Sequence, residues 1–142
     1  VNGAITQAEV LAIFNLMGDK LDQALLWNSN ASTGDFSVDS DFLYSFRMFR
    51  NYDGLNGRFG QFLLPTTVAD RDKLTFIAAK DEVGDITAIA INKTDDELTL
   101  DLTGITLDEA WQYTGNQTIT YIANPTLVIP PMSITTYRCS VA

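Results

Sequence analysis

The residues able to do chemistry in this chain are carboxylates and aromatics, because the sequence has no histidine and a single cysteine. Without histidine, neither a Ser-His-Asp nor a Cys-His mechanism can operate within the chain. Cys139 has no partner for an internal disulfide and lies in a strand-like run, where a small apolar core residue is favoured over a reactive thiol. Acid–base catalysis by carboxylates would then need two of them converging on one bond. The acidic residues read otherwise. Thr6-Gln7-Ala8-Glu9 has the spacing of a capping box, which gives Glu9 a helix-capping role. Asp35, Asp53, Glu82, Asp95 and Asp96 lie in turn-like segments, where solvated or turn-forming carboxylates are the rule. Asp95-Asp96-Glu97 and the loop Asp81–Asp85 each offer oxygen ligands to calcium, but neither has the spacing of a defined calcium loop. The expectation is no cofactor, with bound calcium as the alternative.

The aromatics are the candidates for binding. Trp111 and Tyr113 fall on one side of a predicted strand, with Tyr121 nearby. Such a set either forms a strip that stacks on sugar rings or fills a core, and core packing is the favoured reading. Three Asn-X-Ser/Thr triplets, at Asn30, Asn92 and Asn116, are glycan acceptors only in a host that glycosylates secreted proteins.

Bulk properties narrow the partners. With 142 residues and 46% hydrophobic content the chain is long enough to bury a core. A net charge of −9 repels phosphate backbones and anionic lipid, so neither nucleic acid nor a membrane is expected as a partner. A neutral polysaccharide would be indifferent to that charge. No run approaches the roughly 18 apolar residues of a membrane span. No signal peptide is visible, and the start at Val1 suggests a processed protein, an excised segment or a partial reading frame.

The elements that must position these residues change type along the chain. A first helix is expected from the capping box at Thr6 to Gly18, apolar over much of its circumference and so buried on more than one side. Ala24-Leu25-Leu26-Trp27 reads as a short buried strand before a polar loop. A second helix is expected from Asp39 or Ser40 to Arg50, with Phe42, Phe46 and Phe49 on one face. From Phe59 the pattern turns to β. Strands are predicted at Phe59–Leu64, Leu74–Ala79, Ile86–Asn92, Glu97–Leu102, Glu109–Tyr113, Thr118–Ile122, Thr126–Ile129 and Ser133–Val141. The fold class is α+β, mainly β: an antiparallel sandwich of about eight strands, 55–142, preceded by a helical segment, 1–54.

The helix ending Phe46-Arg47-Met48-Phe49-Arg50, the turn Asn51-Tyr52-Asp53-Gly54, Phe59-Gly60 and the run Thr66–Ala79 together resemble glycoside hydrolase family 44. The upstream segment Ala8–Trp27 and the ending Ile129–Thr135 are similar to that family as well. The resemblance implies endo-acting β-glucanase or xyloglucanase activity in the parent enzyme, with a (β/α)8 barrel followed by a C-terminal β-sandwich. It implies that the first helix, a short strand and the second helix are the end of the barrel. Arg47 and Arg50 would cap the last barrel helix, and Asn51 and Asp53 would hydrogen-bond a tight turn. Gly54, Gly57 and Gly60 would allow unusual backbone angles there. Trp27 would sit at the end of the eighth barrel strand, where an indole can stack on a sugar. The family's two catalytic glutamates end the fourth and seventh strands, both upstream of Val1. A barrel takes about 250 residues, so this chain holds at most its last unit and a half. One departure is Asn15-Leu16-Met17-Gly18, where the family carries a glycine-arginine-glutamate-glycine run.

Two functions follow. The first is a C-terminal, non-catalytic part of a secreted β-glucan hydrolase that supports the barrel and meets polysaccharide through the parent enzyme. The alternative is a stand-alone carbohydrate-binding or protein-interaction module, which exposed aromatics would favour. Helices cut from a barrel would leave apolar faces open, so docking on the sandwich and homo-oligomer formation are both expected.

Overall fold

The computed structural model describes residues 1–20 and 40–142. The strand expected at Ala24–Trp27 lies outside the described residues. Helix α1 runs Asn2–Met17 and α2 runs Ser40–Arg50. Eight strands follow among the described residues: β1 (Phe62–Leu64), β2 (Leu74–Lys80), β3 (Ile86–Asn92), β4 (Leu98–Thr99), β5 (Ile105–Tyr113), β6 (Ile119–Ile122), β7 (Val128–Ile129) and β8 (Ser133–Val141).

Helix α1 starts four residues before the expected capping box. Its buried stripe is Ala4, Ile5, Ala8, Leu11 and Ala12, which recurs at helical spacing from before Thr6. Burial of that stripe extends the helix past the local capping signal. Thr6 therefore bonds back to the Asn2 carbonyl at 3.1 Å, in the helix interior, and Glu9 caps nothing. Gly18 does end the helix, at φ +59°. The expectation of burial on more than one side needs correction too: Ile13 is 43%, Leu16 43% and Met17 41% exposed.

Six strands form one antiparallel sheet in the order β1-β2-β3-β8-β5-β6, and β4 and β7 form a separate two-stranded ribbon. Strand β3 is buried at every position, so both faces of the sheet are covered. One face, with Ile77, Ile89, Ile91, Trp111, Tyr113 and Ile134, packs against Ile5, Leu11, Met48 and Phe49 of the helices. The other carries Ala78, Ala88, Ala90 and Ala110 around Phe76, Tyr137 and Cys139, and packs against Leu100 and Ile129 of the ribbon side. Each fully buried Ile or Leu here is worth about 1.5–3 kcal/mol relative to exposure.

Strand limits differ from expectation where pairing, not pattern, decides. Phe59 and Gly60 are held by partners outside the β1–β2 ladder, which takes hold only from Gln61, whose N donates to Lys80 O at 3.0 Å, so β1 begins at Phe62. Phe59 N donates to Phe49 O at 2.8 Å, and Gly60 N to the Thr87 hydroxyl at 2.8 Å. Strand β5 begins at Ile105 because a bulge between Leu107 and Glu109 lets it keep pairing with β8 past Asp108. The Leu98-Leu100-Leu102 alternation yields only a two-residue strand.

Candidate functional site

The stretch Phe46–Gly60 carries the chain from α2 onto the sheet. Asn51 N donates to Arg47 O at 2.8 Å and closes α2. The Asn51 side-chain carbonyl then accepts Asn56 N at 2.8 Å. Asp53 Oδ1 accepts Leu55 N at 2.7 Å and Gly57 N at 2.8 Å, and Gly54 sits at φ +76°. Gly57 and Gly60 serve a different purpose from the one expected. Neither has positive φ; both mark close approaches. A Cβ at Gly57 would lie 2.6 Å from Asp53 Oδ2, and one at Gly60 would lie 2.7 Å from the Lys80 carbonyl carbon. Arg47 does not reach the helix carbonyls either. Its guanidinium lies over the Tyr44 ring, 5.0 Å from the centroid.

Beneath the corner a row of side chains crosses the sheet. Thr87 pairs with Arg138, and Arg138 with Glu109. Arg138 Nη1 donates to Glu109 Oε1 at 2.9 Å, and Nη2 lies 3.9 Å from Asp53 Oδ2. Its guanidinium also faces the Tyr52 hydroxyl and covers the Trp111 ring, 5.5 Å from the centroid. The hydrogen bond to Glu109 raises the affinity of Arg138 for its proton above the ordinary value. Burial raises the Tyr52 hydroxyl, and the Arg138 contact offsets part of that rise. Tyr121 OH donates to Glu109 Oε2 at 2.9 Å and completes the cluster.

The sequence-predicted aromatics are placed in or beside this cluster. Trp111 is 8% exposed and wedged between Tyr52 and Tyr121, at 4.7 and 5.4 Å between ring centroids. Tyr113 is fully buried, stacked on Tyr44 at 4.8 Å, with its hydroxyl on Asp41. That hydrogen bond lowers the Asp41 carboxyl below its ordinary range, while burial raises the Tyr113 hydroxyl. Neither Trp111 nor Tyr113 offers a ring face to a sugar. Trp27 lies outside the described residues.

No protein-family model matches the sequence, and no curated protein matches it. Solved structures do. A bifunctional glucanase-xylanase from a metagenome library aligns with 98% of this chain at 28% identity and a TM-score of 0.77. A Paenibacillus polymyxa xyloglucanase of glycoside hydrolase family 44, solved with xyloglucan, aligns with 98% at 18% identity and a TM-score of 0.80. A family 44 endoglucanase from Clostridium thermocellum aligns with 96% at 21% identity and a TM-score of 0.74. The chain has the fold of the C-terminal part of the family 44 glycoside hydrolases. It spans 28% of the length of the first of these structures and 29% of the second.

The family 44 fold gives the corner its place: it joins a helical layer to the sheet that packs beneath it. The acidic side chains found there are not arranged as a hydrolytic pair. Retaining glycosidases hold two carboxyls about 5–5.5 Å apart with the sugar between them. Here Asp53 and Glu109 flank the Arg138 guanidinium, which fills that space. Glu9, expected to cap α1, instead faces the sheet, accepting from the Thr75 hydroxyl and pairing with Lys93 at 3.4 Å. In the first acidic loop Asp81 Oδ1 accepts three backbone N–H groups, from Val83, Gly84 and Asp85, at 2.8–3.0 Å. In the second, the Asn92 amide and the Thr94 hydroxyl organise the turn through the Asp96 carbonyl. Among the described residues no three His, Cys, Asp or Glu side chains converge to hold a metal ion.

Arg138 is the residue that sequence reasoning missed. Its signal was available: in Ile134-Thr135-Thr136-Tyr137-Arg138, period-two alternation puts Arg138 on the face of Ile134 and Thr136. A charge at such a position needs a partner. Which partners it finds depends on a turn 85 residues earlier, and no local pattern encodes that.

Proposed function

We propose that this chain is the C-terminal part of a β-glucan-degrading glycoside hydrolase, supporting the catalytic barrel and hydrolysing nothing alone. The observation that carries the reading is the asymmetry of the match: nearly all of this chain aligns with little more than a quarter of each enzyme. The open apolar side of α1, with Ile13, Leu16 and Met17 near 40% exposure, supports it, since a barrel neighbour would cover that side. On this reading residues 1–54 belong to the end of the barrel and 55–142 to the accessory β domain. The corner Asn51-Tyr52-Asp53-Gly54 is the rigid joint between them. Trp27 contributes a sugar-stacking face once the rest of the barrel is present, and the substrate is a β-linked glucan or xyloglucan met through the parent enzyme. The parent acts outside the cell. No helix among the described residues is long and apolar enough to cross a membrane. Alone, the chain self-associates through the open side of α1. The burial of Trp111 and Tyr113 speaks against a stand-alone carbohydrate-binding platform built on them.

The test is an assay of reducing-sugar release from xyloglucan and carboxymethyl cellulose, with the isolated chain and with the chain joined to a family 44 barrel lacking its own C-terminal part. Activity in the joined protein alone is expected. Hydrolysis by the isolated chain, or a joined protein no more active or stable than the bare barrel, would overturn the reading.

A further inference from the structure

The second face of the sheet carries a cleft of about 260 Å³, away from the corner and from α1. Its floor is the part of β5 and β8 where Gln112 faces Thr135 and Ala110 faces Tyr137. One wall is the β4–β7 ribbon, with Glu97 just before β4 and Val128 on β7. The connection from β6 to β7 supplies Asn124 and Pro125.

The chemistry of the lining selects a ligand class. Gln112 Nε2 donates to Thr135 Oγ1 at 3.2 Å, which leaves its carbonyl and its second N–H available. Among the described residues, the side chains of Glu97 and Asn124 have no hydrogen bond or ion pair. No lysine or arginine lines the cleft. An anion would meet Glu97 with no compensating charge, so phosphates and carboxylates are rejected. Two amides and a carboxylate, set against Ile122, Pro125 and Val128, suit a neutral ring bearing several hydroxyls. Each hydroxyl both donates and accepts, as the amides do, while ring C–H groups cover the apolar wall. The volume falls below the about 300–1,000 Å³ of pockets for drug-sized ligands, which limits the occupant to about one ring.

We propose that this cleft binds one neutral pyranose unit, at the end or on a branch of a polysaccharide. The proposal concerns the ribbon side of the sheet and stands whether or not α1 packs on a barrel. Binding there would hold the chain on its polymer without any chemistry.

The experiment is a titration of the isotope-labelled 142-residue chain with D-xylose and D-glucose, followed by amide NMR shifts. Saturable shifts at Glu97, Gln112 and Asn124 are expected, with affinity in the about millimolar range. Gln112→Ala and Asn124→Ala should each weaken binding about five-fold, as the loss of one neutral hydrogen bond predicts. Because Gln112 also bonds Thr135, Asn124→Ala is the variant that leaves the fold untouched. No saturable shift with either sugar would overturn the proposal, as would shifts that both variants leave unchanged. Shifts at Glu97 with ammonium chloride but neither sugar would also overturn it, in favour of a cation site.

Discussion

The guanidinium of Arg138 on β8 lies over the indole of Trp111 on β5, 5.5 Å from the ring centroid, while Glu109 holds it from the side. This stack sits directly under the turn that leaves α2, so Arg138 ties turn and sheet together through Tyr52 and Asp53. Replacing it tests how much of the joint is electrostatic. Arg138→Ala is expected to lower stability by about 1–2 kcal/mol, discounted for its half-exposed position. Arg138→Lys should recover less than half, because an ammonium cannot serve Glu109, Tyr52 and the ring at once. Urea unfolding measures both; equal stability of lysine and arginine forms would contradict the account.

The two glycines of the corner differ in what they protect. Gly60→Ala pushes a methyl to 2.7 Å from the Lys80 backbone, which has nowhere to go inside the sheet, and should cost about 1–3 kcal/mol. Gly54→Ala meets no atom within 4 Å and is opposed only by its φ of +76°, for about 1 kcal/mol. Thermal unfolding of the two variants should rank them in that order.

Asn92 holds the turn after β3 to the strand ribbon. Its amide nitrogen donates to the carbonyls of Asp96 at 2.8 Å and Pro130 at 2.9 Å, and its carbonyl accepts Thr94 N at 2.9 Å. The residue has no exposed surface. Asn92→Ala leaves several buried groups unpaired and should destabilise by about 2–3 kcal/mol, read from the midpoint of denaturant unfolding.

The same burial separates the glycan triplets. Passed through a secretory pathway that glycosylates asparagine, the exposed Asn116 in the β5–β6 turn should be modified, and Asn92 should not. Peptide mass mapping would show this; a glycan on Asn92 of the folded protein would contradict the structure.

Burial pushes both the Tyr137 hydroxyl and the Cys139 thiol up to about 12. Their unfolded values lie near 10 and 8.5, roughly. A group raised on folding keeps the native state proton-bound while the unfolded chain ionises, so stability is full below the unfolded value and falls as pH rises towards 12. Denaturation midpoints should therefore be flat from pH 7 to about 8 and decline progressively above about 9. Cys139→Ala should soften the first part of that decline. A stability that rises above about pH 9 would refute the assignment.

Much of this protein was legible from residue order alone. Turn residues and β-branched runs located all eight strands among the described residues, and β3 and β8 were placed to the residue. These signals are local: a strand core or a glycine at φ +59° depends on neighbours in sequence. The absence of histidine and the acidic balance narrowed the chemistry for the same reason, since composition needs no fold. What only the tertiary structure decided were pairings across long separations. Thr6 and Glu9 matched a helix start, yet burial of Ala4 and Ile5 against the sheet overruled it and sent Glu9 to Lys93. Trp111 and Tyr113 are equally able to face solvent or core until Tyr52 and Tyr44 arrive from the helical part to cover them. The roles of Arg138 and of the cleft at Gln112 arise the same way. Each is set by which distant segments meet, and that is fixed by the packing of two layers on one sheet rather than by any run of residues within it.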